Sequence, residues 1–200
     1  MKRLLFPAVA GALLAMSGAA LADTPVSAVT DLNVRAGPGP QYPVIGVLAA
    51  GQSATLRGCI EGSKWCAIAE AGGNGWVYSD YVTGDFGGSR VVLTRRPAEA
   101  DIAVVAPPTD EVYTQDDYTG AIVASDPIEP IARPPAEVGT YVTTHRVAPV
   151  YLEGEVVTGA VLPDTVELRE IPDYNYRYVY VNNQPALVDP GTRRIVYVMR

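Results

Sequence analysis

Residues able to move protons, attack carbon or hold a metal are sparse in this chain of 200 residues. The one histidine, His145, cannot form a dyad or a metal cluster with a second imidazole, and its position needs no chemical explanation. A Ser-His-Asp triad needs an activated serine, yet none of Ser27, Ser53, Ser63, Ser79, Ser89 and Ser125 lies in a Gly-x-Ser-x-Gly elbow. Carboxylate pairs can serve as acid and base on a glycosidic bond, and Asp116-Asp117 and Glu153 with Glu155 are the candidates. Both read better as solvated charges, the first in a proline-rich stretch and the second on an exposed edge. Gly37-Pro38-Gly39 precedes no strand-to-helix pattern and reads as a turn rather than a phosphate loop. These residues predict a non-enzymatic protein, with no catalytic residue, no cofactor and no metal.

The two cysteines give a sharper signal. In Cys59-Ile60-Glu61-Gly62-Ser63-Lys64-Trp65-Cys66, Gly-Ser suits the tip of a two-residue hairpin with Gly first. That tip pairs Ile60 with Trp65 and sets Cys59 opposite Cys66. Cross-strand Cβ atoms stand roughly 4.5–5.5 Å apart, near the span of a disulfide. The spacing lacks the CxxC pattern of a redox or metal pair, so a structural Cys59–Cys66 disulfide is expected.

The elements that position these residues follow from composition. Lys2 and Arg3 precede an apolar run from Leu4 to Met16 that ends in Ala20-Leu21-Ala22, the pattern of a secretory signal peptide over residues 1–22. The run is too short to span a bilayer, so the mature chain Asp23–Arg200 is expected to be periplasmic or secreted, without membrane insertion. An oxidising compartment also suits the disulfide. Loss of Lys2 and Arg3 takes the net charge from −7 to −9, which argues against nucleic acid and anionic membranes as partners.

Gly, Pro, Tyr and Val are abundant, and an all-β fold is expected. Short strands are predicted at Leu32–Arg35, Val44–Leu48, Ala54–Ile60, Trp65–Ala69 and Gly75–Tyr78, enough for a small barrel over residues 23–84. Residues 85–140 hold seven prolines, and ten acidic residues face four arginines, so this stretch reads as a disordered, acidic, Pro-rich linker. Residues 141–200 return to apolar alternation and read as a small β-meander. Its strands are expected at Val147–Tyr151, Glu155–Thr158, Val166–Arg169, Tyr174–Val181, Gln184–Val188 and Arg194–Val198. The period of two places Tyr174, Tyr176, Tyr178 and Tyr180 on one strand face, either as core or as a patch offered to a partner.

Leu32-Asn33-Val34-Arg35-Ala36-Gly37-Pro38-Gly39, then Val44-Ile45-Gly46-Val47-Leu48, Gly58-Cys59, Trp65-Cys66-Ala67-Ile68 and Gly75-Trp76-Val77 before Tyr81-Val82, resemble the bacterial SH3-like (SH3b) domain family. The resemblance implies a half-open β-barrel in an exported or envelope protein, of a kind often attached to cell-wall enzymes and credited with binding peptidoglycan or peptides. Gly159-Ala160-Val161-Leu162-Pro163, Val166-Glu167-Leu168, Ile171-Pro172-Asp173, Tyr178–Asn182, Leu187–Pro190 and Arg193–Val198 resemble domain of unknown function 1236. That likeness implies location and architecture rather than chemistry.

Within the barrel, Trp76 and Val77 are expected on opposite faces, and Trp65 is expected to be partly buried beside the disulfide. Tyr42, Pro43, Tyr78 and Tyr81 are the candidate ligand-binding residues, because tyrosine joins apolar area to a polar tip. The expected function is an exported binding module contacting peptidoglycan peptide or an envelope protein. A protein-interaction role through the C-terminal unit is the alternative, and an accessory to a cell-wall hydrolase the distant one.

Overall fold

The computed structural model describes residues 24–98, 100, 102–108, 120–123, 128 and 131–200. The leader read over residues 1–22, the Asp116-Asp117 pair and Ser125 lie outside the described residues.

Apolar runs separated by glycine turns form β1 (Thr24–Ala28), β2 (Leu32–Arg35), β3 (Val44–Leu48), β4 (Ser53–Cys59), β5 (Trp65–Glu70), β6 (Gly73–Tyr78), β7 (Val82–Phe86) and β8 (Ser89–Val92). They pair antiparallel in the order β3-β2-β6-β5-β4-β1-β7-β8 and curl into a half-barrel. The five strands expected from the sequence are β2 to β6, the first two with the bounds expected and the other three shifted at their ends by one or two residues. Val26, Leu32, Val34, Leu48, Ile68, Val77 and Val82 fill the concave side.

The β4–β5 hairpin has the expected register. Cys59 is opposite Cys66, the Ile60 amide donates to the Trp65 carbonyl at 3.0 Å, and the disulfide joins the two cysteines. The turn itself differs from the expected Gly-Ser tip: the Ser63 amide donates to the Ile60 carbonyl at 3.2 Å, so Glu61-Gly62 are the central residues, and Gly62 with φ 72° takes the third position, where a positive φ favours glycine. Trp65 is more deeply buried than expected, its ring meeting Tyr78 edge-on at 5.3 Å.

The C-terminal sheet contains β9 (Arg177–Val181), β10 (Gln184–Val188) and β11 (Ile195–Val198), with β10 in the middle. Asn182 and Asn183 link β9 to β10 with φ of 51° and 65°, the two positive values of a tight hairpin turn. Upstream, the expected strands Val147–Tyr151, Glu155–Thr158 and Val166–Arg169 do not form. That chain contributes single bridges instead, Val150 to Val181 and Arg169 to Tyr178, because Pro149, Gly154, Gly159 and Pro163 interrupt every run before a ladder can extend.

Residues 85–140 are not linker throughout. Asp85 and Phe86 complete β7, which pairs with β8, and Leu93 just beyond is fully buried. Ala103 and Val105 bond the backbone of Cys59 on both sides, at 2.9 and 3.1 Å. Gly58 allows this approach, since a Cβ there would stand 2.4 Å from the Ala103 carbonyl oxygen. Ala136–Thr144 forms α1 behind Pro134-Pro135, where the fixed proline φ suits a helix start. Val138 and Val142, one turn apart, are its buried stripe. A reading of composition sees the prolines but not these few apolar residues, each of which meets a partner far away in sequence.

The tyrosine alternation resolves into two cores. Tyr178 and Tyr180 lie with α1, Leu187 and Val196, and their hydroxyls donate to the His145 carbonyl at 2.7 Å and the Val142 carbonyl at 3.1 Å. Val179 and Val181, on the other face of β9, join Ala186, Val188, Ile195 and Val198 in the cluster that holds the barrel residues. The small sheet is therefore covered by a helix on one side and contributes to the barrel's core on the other. Tyr174 and Tyr176, before the strand, are only half-buried.

Candidate functional site

Between the barrel and the C-terminal sheet, five polar side chains hold the two units together. Arg35 at the end of β2 is 1% exposed, and Glu155 is fully buried. Their planar groups meet as a fork: the Arg35 Nε donates to Glu155 Oε2, and Nη2 donates to Glu155 Oε1 at 2.6 Å. The remaining Nη1 donates to the carbonyls of Pro40 and Tyr42 at 2.8 and 2.7 Å. Asn33 donates to Glu155 Oε1 at 2.9 Å, and the Val156 amide adds a fourth bond to the same carboxylate at 2.8 Å. Glu155 is thus not the solvated edge charge that the sequence suggests. Its neighbour Glu153 is the exposed one.

Gln184, at the start of β10, exchanges side-chain bonds with Asn33 at 2.8 and 3.3 Å. The Arg200 guanidinium reaches the Asn33 amide oxygen at 3.4 Å and the Asp31 carbonyl at 3.0 Å. Burial pulls the Arg200 pKa down from its usual value, opposed by the carboxylates of Asp31 and Glu155. A buried charge pair is retained at a cost in desolvation unless every lone pair and proton is used, and here each Arg35 nitrogen has a partner.

The pair also shapes a cleft. By gripping the Pro40 and Tyr42 carbonyls, Arg35 fixes the β2–β3 loop as one wall, with Pro40, Gln41, Tyr42 and Pro43 along it. Asn182 to Pro185, Met199 and Arg200 form the other wall, around a cavity of about 600 Å³. The Tyr42 ring lies over Gly37, where a Cβ would fall 2.2 Å from its Cδ1. Apolar rings on one side, amides and a guanidinium on the other, suit a peptide with a polar or acidic end.

Of the four residues singled out from the sequence, Tyr42 and Pro43 line this cleft. Tyr78 and Tyr81 are 5% and 3% exposed and pack on each other at 6.4 Å. Burial, reinforced by Asp80, pushes both phenol pKa values well above the usual range. Such rings hold the barrel together rather than offer a face to a ligand. The polar residues the sequence reading missed are Asn33, Arg35, Glu155, Gln184 and Arg200. Asn33 and Arg35 stood inside the quoted motif, where the alternation of Leu32 and Val34 already set them on the opposite side of β2. Nothing local marked Glu155 or Gln184 as their partners, 122 and 151 residues away.

Among the described residues no group of three or more His, Cys, Asp and Glu could hold a metal ion. No helix there is long and apolar enough to cross a membrane.

Residues 30–83 match the family described as Bacterial SH3 domain, and residues 141–200 match Domain of unknown function (DUF1236). Over 67 residues, 34% of the chain, the sequence is 40% identical to the "Putative N-acetylmuramoyl-L-alanine amidase YrvJ" of Bacillus subtilis (strain 168). The chain matches 12% of the length of that relative. No solved structure matches the chain.

Proposed function

We propose that this chain, a bacterial SH3 domain joined to a DUF1236 domain, is a non-enzymatic binding module of the cell envelope that takes a cell-wall peptide or an envelope-protein segment in the cleft between its two units. The observation that carries this reading is the composite cleft itself, with Tyr42 and Pro43 facing Gln184, Pro185 and Arg200 across about 600 Å³. A side chain fully buried on each unit fixes the walls, so the cleft exists before any ligand arrives, and less ordering entropy is lost on binding. The disulfide and the bacterial SH3 match fit an extracellular or envelope setting. The name of the relative adds a cell-wall context for that kind of domain. Export through a leader over residues 1–22 belongs to the same proposal.

Co-sedimentation of the purified protein with peptidoglycan sacculi, at low and physiological salt, tests the reading. The wild type is expected in the pellet, with Tyr42→Ala and Arg200→Gln left largely in the supernatant. If the wild type stays in solution, wall binding is ruled out, and cross-linking in whole cells then asks whether adducts form at cleft residues. Adducts confined to surfaces remote from the cleft would overturn the site as well.

A further inference from the structure

The eight-stranded sheet ends in β3 on one side and in β8 on the other. An end strand keeps every second N–H and C=O turned away from its one partner, and a bare edge of this kind invites another strand to pair with it. β8 carries Arg90, a charge that discourages such pairing. β3 has no equivalent. It reads Val44-Ile45-Gly46-Val47-Leu48, and no charged residue occurs anywhere from Ala36 to Leu56. Among the described residues β3 pairs with β2 alone, and Ile45 stands at a bulge without a partner there. Of the five large apolar residues exposed among the described residues, three, Val44, Ile45 and Val47, stand on this strand.

The two faces of β3 ask for different side chains on an added strand. Val44 and Val47, opposite Arg35 and Asn33, line the interdomain cleft, where Pro185 and Met199 stand across from them. Gly46 pairs with the core residue Val34, so a strand residue at its level faces the concave side. The Glu70 carboxylate lies there, since a Cβ on Gly46 would stand 3.5 Å from its Oε1. Among the described residues that carboxylate receives the Gln52 side-chain amide at 3.2 Å, and no cation pairs with it. A strand laid along the free edge presents its side chains to the two faces in alternation, with directly opposed Cβ atoms roughly 4.5–5.5 Å apart. Its residue opposite Gly46 therefore reaches Glu70, and the residues on either side point to the apolar wall of the cleft. A basic residue between two apolar ones complements this edge in charge and in polarity. A second copy of β3 does not supply that pattern, because antiparallel pairing about Gly46 brings two Glu70 carboxylates together. A glycan does not supply it either, having no row of alternating amide donors and acceptors to continue the ladder.

We infer that the free edge of β3 binds an extended protein segment as an added strand, with apolar side chains toward the cleft and a basic one toward Glu70. The inference rests on the cleft proposed above and commits it to an envelope-protein segment rather than a cell-wall peptide.

The test is a titration of the purified protein against a fluorescein-labelled, capped peptide, Val-Thr-Val-Lys-Val-Thr-Val, followed by fluorescence anisotropy. Saturable binding is expected, weakened about tenfold or more by Val47→Lys, which sets a charge on the edge. Of two peptides N-methylated on alternate amides, the one methylated on the side toward β3 is expected to lose about tenfold or more in affinity, and the other to keep it. Glu70→Lys is expected to reverse the preference, from the lysine peptide to the same peptide with glutamate in its place. The methylated peptides are read on the wild type, so their result stands even if a variant folds poorly. Absence of saturation, or equal binding of the two methylated peptides, overturns strand addition, and an unchanged preference in Glu70→Lys overturns the basic partner. Self-association of the wild type that Val47→Lys abolishes gives the edge to a second copy and overturns the inference as well. Sacculi that pellet the wild type but not Tyr42→Ala, with no peptide bound, refute this inference and leave the cleft reading standing. Peptide bound with no protein pelleted supports the inference and refutes wall binding alone.

Discussion

At Tyr78 and Tyr81 a phenol is taken out of water without an acidic role to perform. Burial is the first cause of their raised pKa values, and the Asp80 carboxylate adds to it by disfavouring a second negative charge nearby. A group whose folded pKa lies above its unfolded value of 10.0 stabilises the fold fully below that pH, and the contribution is lost as pH rises beyond it. Alkaline titration of phenolate absorbance is therefore expected in two phases: exposed tyrosines ionise first, and Tyr78 and Tyr81 ionise only together with unfolding. Tyr81→Phe should move the alkaline unfolding midpoint upward. A single phase near pH 10 with native circular dichroism retained would contradict this account. Little at residue scale was open to a linear reading. Tyrosines suit a groove and a core equally well by type, and their destination depends on what the fold lays over them, here Trp65 and the second ring of the pair.

Hairpins were the most legible elements, because their register is set by a short local turn and needs no distant partner. The loop of residues 61–64 and the Asn182-Asn183 turn place the strands they join within a few residues of where the sequence puts them, although the first closes on Glu61-Gly62 rather than on Gly62-Ser63. The helix α1 and the strand β8 were not legible, since each is held by packing on a distant surface rather than by a local pattern. The disulfide has consequences at this scale too. It closes the β4–β5 hairpin, and Cys59 also receives the 103–105 segment through two backbone bonds. Reduction is expected to lower stability by about 2 kcal/mol, the modest effect of a short loop, and to speed amide exchange at Cys59 and Val105 together. Thermal melts and hydrogen exchange, each with and without reductant, measure both. Unchanged exchange at Val105 would mean that the docked segment does not depend on the hairpin.

At the scale of the molecule, the barrel and the C-terminal sheet behave as one body. Their apolar residues form one cluster, and the Arg35–Glu155 fork with the Asn33–Gln184 amide pair spans the junction. A single unfolding transition is expected in urea. Glu155→Ala should cost about 3–5 kcal/mol, because it leaves the Arg35 charge buried without its partner, while Arg35→Met combined with Glu155→Leu should recover much of the loss. Two separate transitions in the wild type, or a Glu155→Ala variant of native stability, would refute the coupling. The linear order of residues by itself determined the all-β class, the strand periods, the hairpin registers and the cysteine pair, because those depend on neighbours a few positions apart. Only the tertiary structure decided which polar residues matter. Asn33, Arg35, Glu155, Gln184 and Arg200 acquire a role when the two ends of the chain are brought together, and a buried charge can be recognised only once the surface that excludes its water is in place.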